Sequence, residues 1–110
     1  MRDEETLGAF EEQVMLAVAR TAGEAYGMSV RRELERVTER DVTVGAVYAT
    51  LDRLEAKRLV SSSRSGYDAG ARRLFAITAA GARALAETRS VRERLWRGVD
   101  LSALLATRKA

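Results

Sequence analysis

A mainly α-helical fold with one small β-hairpin is the class that this sequence predicts, with three helices before the hairpin and a long one after it. Three observations predict it. Apolar residues recur at helical spacing in three successive segments up to residue 57. The period then shortens to two on either side of a loop holding Gly66 and Gly70, and helical spacing returns after Thr78.

The first helix is carried by Leu7, Phe10, Val14, Ala17 and Val18, with Gly23 as its stop. The second is predicted over residues 28–38, where Val30, Leu34 and Val37 share a face and Tyr26 and Gly27 stand at the entry. Thr43 caps the third helix by accepting a bond from a first-turn amide, and Gly45 leaves that turn sterically open. In this segment, "TVGAVYATLDRLEAKRLV", Val47, Leu51 and Leu54 form the apolar stripe. Opposite them fall Ala46, Ala49 and Thr50, followed by Arg53 and Lys57.

Residues 59–63 and 72–77 read as the two strands of a hairpin with a small, basic, flexible tip. Leu74, Ala76 and Thr78 alternate with Arg73, Phe75 and Ile77, a weak two-sided pattern suited to a narrow ribbon. Thr78 caps the last helix, and "DLSALLA" either continues it or forms a short last turn. Residues 1–78 are therefore expected as one domain, with residues 79–110 as a helical tail of about 27 helical residues.

Composition narrows the function. With 110 residues, 46% of them hydrophobic and 32% charged, the chain has one modest core and is not a disordered segment. There is no histidine and no cysteine, which removes imidazole bases, thiol nucleophiles and zinc sites of the usual kind. Neither Glu11 with Glu12 nor Glu33 with Glu35 converges on one reacting atom from a helix, and no glycine-rich phosphate loop is present. An enzyme is not expected, nor a cofactor or metal. The chain has no apolar run of the length of about 20 residues that a membrane span needs, and its acidic start is unlike a signal peptide; a cytoplasmic location with no membrane partner is expected. The net charge of +3 is uneven: residues 1–30 carry −4, residues 31–60 carry +1 and residues 61–110 carry +6. That asymmetry fits a polyanion-binding surface or an arginine-rich face in water, and by itself does not separate them.

Three helices and a hairpin, with a thin polar face on the third helix, make up the organisation of a winged helix-turn-helix. A helix enters a major groove about 12 Å wide if its base-facing side is uncrowded. Alanine methyls meet thymine methyls, Thr50 bonds a base edge or phosphate, and Arg53 and Lys57 reach a base or the flanking backbone. The alternative is that Ala46 and Ala49 are small because another helix packs on them. Arg64, Arg72 and Arg73 add positive charge along the hairpin; alternation sends Arg72 and Arg73 to opposite sides, so one of the two is dispensable for contact.

Read in order, "LGAFEEQVMLAVAR", "AYGMSVRRELE", "TVGAVYATLDRLEAKRLV", "RRLFAIT" and "AAGARAL" resemble the PadR family of transcriptional regulators over residues 7–99. The resemblance implies a homodimeric repressor binding double-stranded DNA at a pseudo-palindromic operator. Its DNA-facing residues would be Thr43, Ala46, Tyr48, Ala49, Thr50, Arg53, Lys57, Arg64, Arg72 and Arg73. Tyr48 has two placements open, a phosphate contact or packing half-buried against the second helix. Two departures stand out. The wing has Ala71 amid its basic run and Phe75 where tyrosine is common, and Arg58 replaces the glycine that usually ends the third helix, so a slightly different helix exit is expected.

A stripe of Leu85, Leu95, Trp96 and Val99, joined by Leu101, Leu104 and Leu105 and interrupted by Arg92, is surplus to the winged core and is expected to form the dimer interface with Phe10 and Val14 of the partner's first helix. The resemblance also implies a second use for Trp96, as a platform for a small aromatic effector. The rival reading from another class is a winged-helix module that docks a protein through the same third-helix face; the basic hairpin speaks for DNA.

Overall fold

The computed structural model describes residues 6–65 and 72–107. Its elements are α1 (Ala9–Arg20), α2 (Gly27–Thr38), α3 (Val44–Ala56), β1 (Val60–Ser65), β2 (Arg72–Ile77), α4 (Ala79–Trp96) and α5 (Leu101–Thr107). The predicted order of helices and hairpin is the observed one. The hairpin loop with Gly66, Gly70 and Ala71 lies outside the described residues. Among those described, no helix is long and apolar enough to cross a membrane.

The core is built around α1, which packs on α2, α3, β2 and α4. Its Val14, Met15 and Val18 meet Val30 and Leu34 of α2, the predicted Val47, Leu51 and Leu54 of α3, and Phe75 of β2, all buried. The strands pair antiparallel, with Val60 opposite Ile77 and Ser62 opposite Phe75. The free edge of β2 is covered where the amide of Phe75 donates to the carbonyl of Ala25, at 2.9 Å. Phe75 thus sits in the core, almost fully buried.

Caps set the boundaries. Glu11 accepts from the amide of Gly8 at 3.1 Å, Ser29 from that of Tyr26 at 2.9 Å, Thr43 from that of Ala46 at 3.1 Å and Thr78 from that of Gly81 at 2.9 Å. At the end of α3, Leu59 N–H donates to the Leu54 carbonyl and Arg58 N–H to that of Glu55, both at 2.9 Å, a Schellman closure with Arg58 in the left-handed region at φ 64. The exit expected to differ for want of a glycine therefore keeps the glycine-type backbone, and Arg58 carries the strain.

The tail takes the second of the two forms open to it, a last helix followed by a separate short one. Arg97 turns extended, Gly98 takes φ 82, which only glycine adopts at little cost, and α5 starts afresh with Asp100 accepting from the amide of Ala103. On α4 only Gly81, Ala84 and Thr88 are buried, so its first half belongs to the core and its last turns project from it. Thr88 accepts from the amide of Leu7 at 3.1 Å and ties down the chain before α1.

Candidate nucleic-acid interface

The α2–α3 turn aims the third helix. Glu39 closes α2 in the left-handed region at φ 58, and the backbone of Val42 is gripped on both sides: Arg31 donates to its carbonyl at 2.7 Å and Glu35 accepts from its amide at 2.9 Å. From that anchored turn α3 exposes Thr43, Gly45, Ala46 and Ala49. Among the described residues no other helix covers Ala46 and Ala49, which removes the packing explanation of their size within one protomer. Thr43 spends its acceptor on the helix cap.

Thr50 does not belong to this face. It is 2% exposed and its hydroxyl accepts from Arg53 at 3.3 Å; one residue beyond Ala49 it has turned about 100° toward the core. The two cations both turn toward one carboxylate of α1, Lys57 more closely. Lys57 donates to Glu11 of α1 at 2.9 Å, while Arg53 stands 3.8 Å from the same carboxylate. Lys57 lies 11 positions beyond Ala46, about 16 Å along the axis, and belongs to the α1 side of the helix. Burial opposes the charge of Glu11, but the Lys57 hydrogen bond, the Gly8 amide and the nearby Arg53 outweigh it and hold the carboxyl below its usual range.

Tyr48 lies with its ring over Gly27, the first residue of α2, and 37% of it stays exposed. A β-carbon at Gly27 would stand 2.2 Å from the ring. Of the two open placements the structure has the packing one: the ring rests on α2, and its outer edge faces a cleft of about 420 Å³ shared by Tyr26, Met28, Ser29, Arg32, Arg64, Arg72 and Arg73. Arg72 lies over the Tyr26 ring, 4.9 Å from its centre. Tyr26, Ser29 and Arg32 had not been singled out as DNA-facing; the one sequence signal is that Met28 and Arg32 share an outward face of α2.

Arg73 borders the same cleft but is engaged within the chain. It turns to the opposite side of the ribbon from Arg72, as alternation requires, and pairs with Asp52 at 3.0 Å and Glu55 at 2.6 Å on α3. Burial works against its charge, yet those two hydrogen bonds raise its pKa.

Of the residues expected at a dimer interface, Val14 is fully buried within its own protomer and unavailable to a partner. Leu85 and Phe10 pack partly on the same core. Arg92 binds Glu12 of α1, so the adjacent Glu11 and Glu12 reach different helices, α3 and α4. Leu95, Trp96 and Val99 stay exposed, at 73%, 52% and 46%, and with Arg92 and Leu101 line a shallow depression of about 250 Å³.

The fold that carries this surface has counterparts in known proteins. Residues 15–87 match the model of the transcriptional regulator PadR-like family. The chain belongs to that family. It is 42% identical over 76 residues, 69% of this chain and 70% of the relative, to transcriptional regulator Rv3488 of Mycobacterium tuberculosis. Among solved structures, a PadR family transcriptional regulator from Eggerthella lenta shares the fold at a TM-score of 0.66 and 24% identity, over 84% of this chain and 80% of that one. RosR of H. salinarum does so at a TM-score of 0.65 and 24% identity, over 92% of each chain. This PadR-like chain is accordingly a transcriptional regulator that works by binding DNA, without enzymatic activity.

Proposed function

We propose that this PadR-like chain is a cytoplasmic homodimeric repressor of a pseudo-palindromic operator. The observation that carries the reading is the exposure of Ala46 and Ala49 on α3, the helix whose Tyr48 lines the cleft of Arg32, Arg64 and Arg72. The thin face enters the major groove, with Thr43 at its leading end and Arg53 further along, while the cleft arginines and Tyr48 hold flanking phosphates. A protein-docking face would more often be apolar at its centre, whereas the cleft beside this helix is lined by arginines.

One α3 reads only a few base pairs, so two are needed, about 34 to 36 Å apart on the duplex. The projecting Leu95, Trp96, Val99, Leu101, Leu104 and Leu105 are all at least 46% exposed and form the surface a second copy covers. Trp96 in its shallow depression is the place for a planar aromatic effector within such a dimer.

The test is duplex binding by anisotropy across salt concentration, with sedimentation of the same samples. Three arginines per protomer on phosphates give a slope of log K against log salt of about −5 for the dimer. Intact protein should sediment as a dimer at micromolar concentration, and Trp96→Asp with Val99→Asp as a monomer without tight binding. A flat salt response would overturn the DNA surface, and an intact monomer the dimer.

A further inference from the structure

Arg73 sits at a junction between the wing and the third helix. Its Nη1 lies 3.0 Å from Asp52 Oδ1 and its Nη2 2.6 Å from Glu55 Oε1, one turn apart on α3, and its guanidinium lies 4.8 Å from the centre of the Phe75 ring. The second oxygen of Glu55 accepts from the hydroxyl of Ser62 at 2.7 Å. Ser62 is on β1 and pairs across the ladder with Phe75. One carboxylate of α3 therefore holds both strands, β1 through Ser62 and β2 through Arg73.

A two-stranded ribbon has little stability of its own. Here the inner end is anchored by Val60 and Phe75 in the core, and the outer end, with Arg64 and Arg72, runs beyond it. The angle at which that outer end leaves α3 is set where Arg73, Ser62 and Glu55 meet. If Arg73 instead reached for a phosphate, Asp52 and Glu55 would be left unpaired beside a polyanion, which repels them. The paired cluster still carries one excess negative charge; Arg64, opposite Arg73 in the ladder, shares its side of the ribbon, while Arg72 lies over Tyr26 on the other, so with Arg73 closed on the two carboxylates the phosphate contacts of the wing fall to Arg64 and Arg72.

We propose that Arg73 is a positioning residue that does not touch DNA: with Asp52 and Glu55 it locks the wing to α3, so that the recognition helix and the outer arginines meet the duplex as one rigid surface. The proposal rests on the DNA reading above, and its test is built to fail separately from it.

The probes are the duplex that the wild-type chain enriches from a random-sequence pool and a scrambled duplex of the same composition. Arg73→Ala should weaken the enriched duplex about tenfold and the scrambled one less, with the salt slope unchanged. Arg72→Ala should weaken both and make the slope shallower by about 0.9 for each phosphate lost. Asp52→Asn with Glu55→Gln should reproduce the loss of Arg73→Ala although it removes two negative charges, and all three changes together should be no worse than Arg73→Ala. Exchanging the charges, Arg73→Glu with Glu55→Arg, should restore part of the preference. If the neutralised carboxylates tighten binding to both duplexes, and Arg73→Ala flattens the slope as Arg72→Ala does, Arg73 is a phosphate contact and the proposal falls. A measurement without DNA keeps the two readings apart. Amide exchange at residues 62–64 and 73–75 should quicken about tenfold in Arg73→Ala while α1 is unaffected, and unchanged exchange there would overturn the lock even if DNA binding were confirmed.

Discussion

Replacing Gly27 by alanine adds one methyl at the most closely approached point of the interface. The new carbon would lie 2.2 Å from Tyr48 Cζ, 2.3 Å from its hydroxyl oxygen and 2.6 Å from Cε1, whereas ordinary contact begins near 3.4 Å. The ring must move by at least about 1.2 Å, and since 37% of the residue is open to solvent it swings outward rather than prising α2 from α3. Roughly two-thirds of a side chain that buries about 200 Å² is at stake, about 3 kcal/mol as an upper bound at about 25 cal/mol per Å². Alanine returns up to about 1 kcal/mol in helix propensity, so the net loss is about 1 to 2 kcal/mol, or roughly 5 to 10 °C in Tm. Thermal and urea unfolding by circular dichroism, at one fixed protein concentration, measures it. The decisive comparison is with Tyr48→Ala, in which the added methyl meets no ring and Gly27→Ala should be neutral or stabilising. A coupling of about 1 to 3 kcal/mol between the two sites is expected. If Gly27→Ala stabilises equally in both backgrounds, the ring does not rest on Gly27 and the account of how α2 positions Tyr48 is wrong.

Arg58→Gly should stabilise the fold by about 0.5 to 1 kcal/mol, because relief of the left-handed strain, about 1 to 2 kcal/mol, exceeds the added freedom of glycine in the unfolded chain. A lower unfolding midpoint would contradict the strain. Glu33 bridges α1 and α2, and hydrogen bonds from Arg36 and Arg20 hold its carboxyl from 4.5 down to about 2. A depressed folded pKa gives stability that is present above pH 4.5 and lost as pH falls through about 2, so Glu33→Gln should flatten the acid side of the stability profile over that window. A profile with the wild-type slope there would show that the bridge contributes nothing.

Local chemistry made much of this fold legible before any tertiary structure. Thr43 and Thr78 cap helices where the sequence placed them, and Val47, Leu51 and Leu54 went to the core because spacing along a helix fixes which side chains share a side. The change to period two marked the hairpin, and β2 runs over residues 72–77 as expected. The ordered set of motifs led to the family.

The directions of individual side chains were settled only by tertiary contacts. Thr50 lies at the margin of its face, and a wheel cannot say how wide an open face is until the neighbouring elements are packed against it; the core claimed it. Val14 has the same apolar character whether a protomer or its partner covers it, and here its own α3 and β2 do so first. Arg73 and Arg72 are the same residue type side by side, yet one closes on α3 and the other on Tyr26. Lys57 found Glu11 from 46 positions away. Each of these outcomes turns on a partner distant in sequence, and charge or hydropathy read along one chain carries no record of which distant group will arrive within 3 or 4 Å. The sequence by itself determined the main elements, their order and most of the inward stripes, Val37 of α2 being left exposed, since those depend on neighbours a few residues away; the tertiary structure alone decided which cations remained on the outward surface, because ion pairing depends on distance in space.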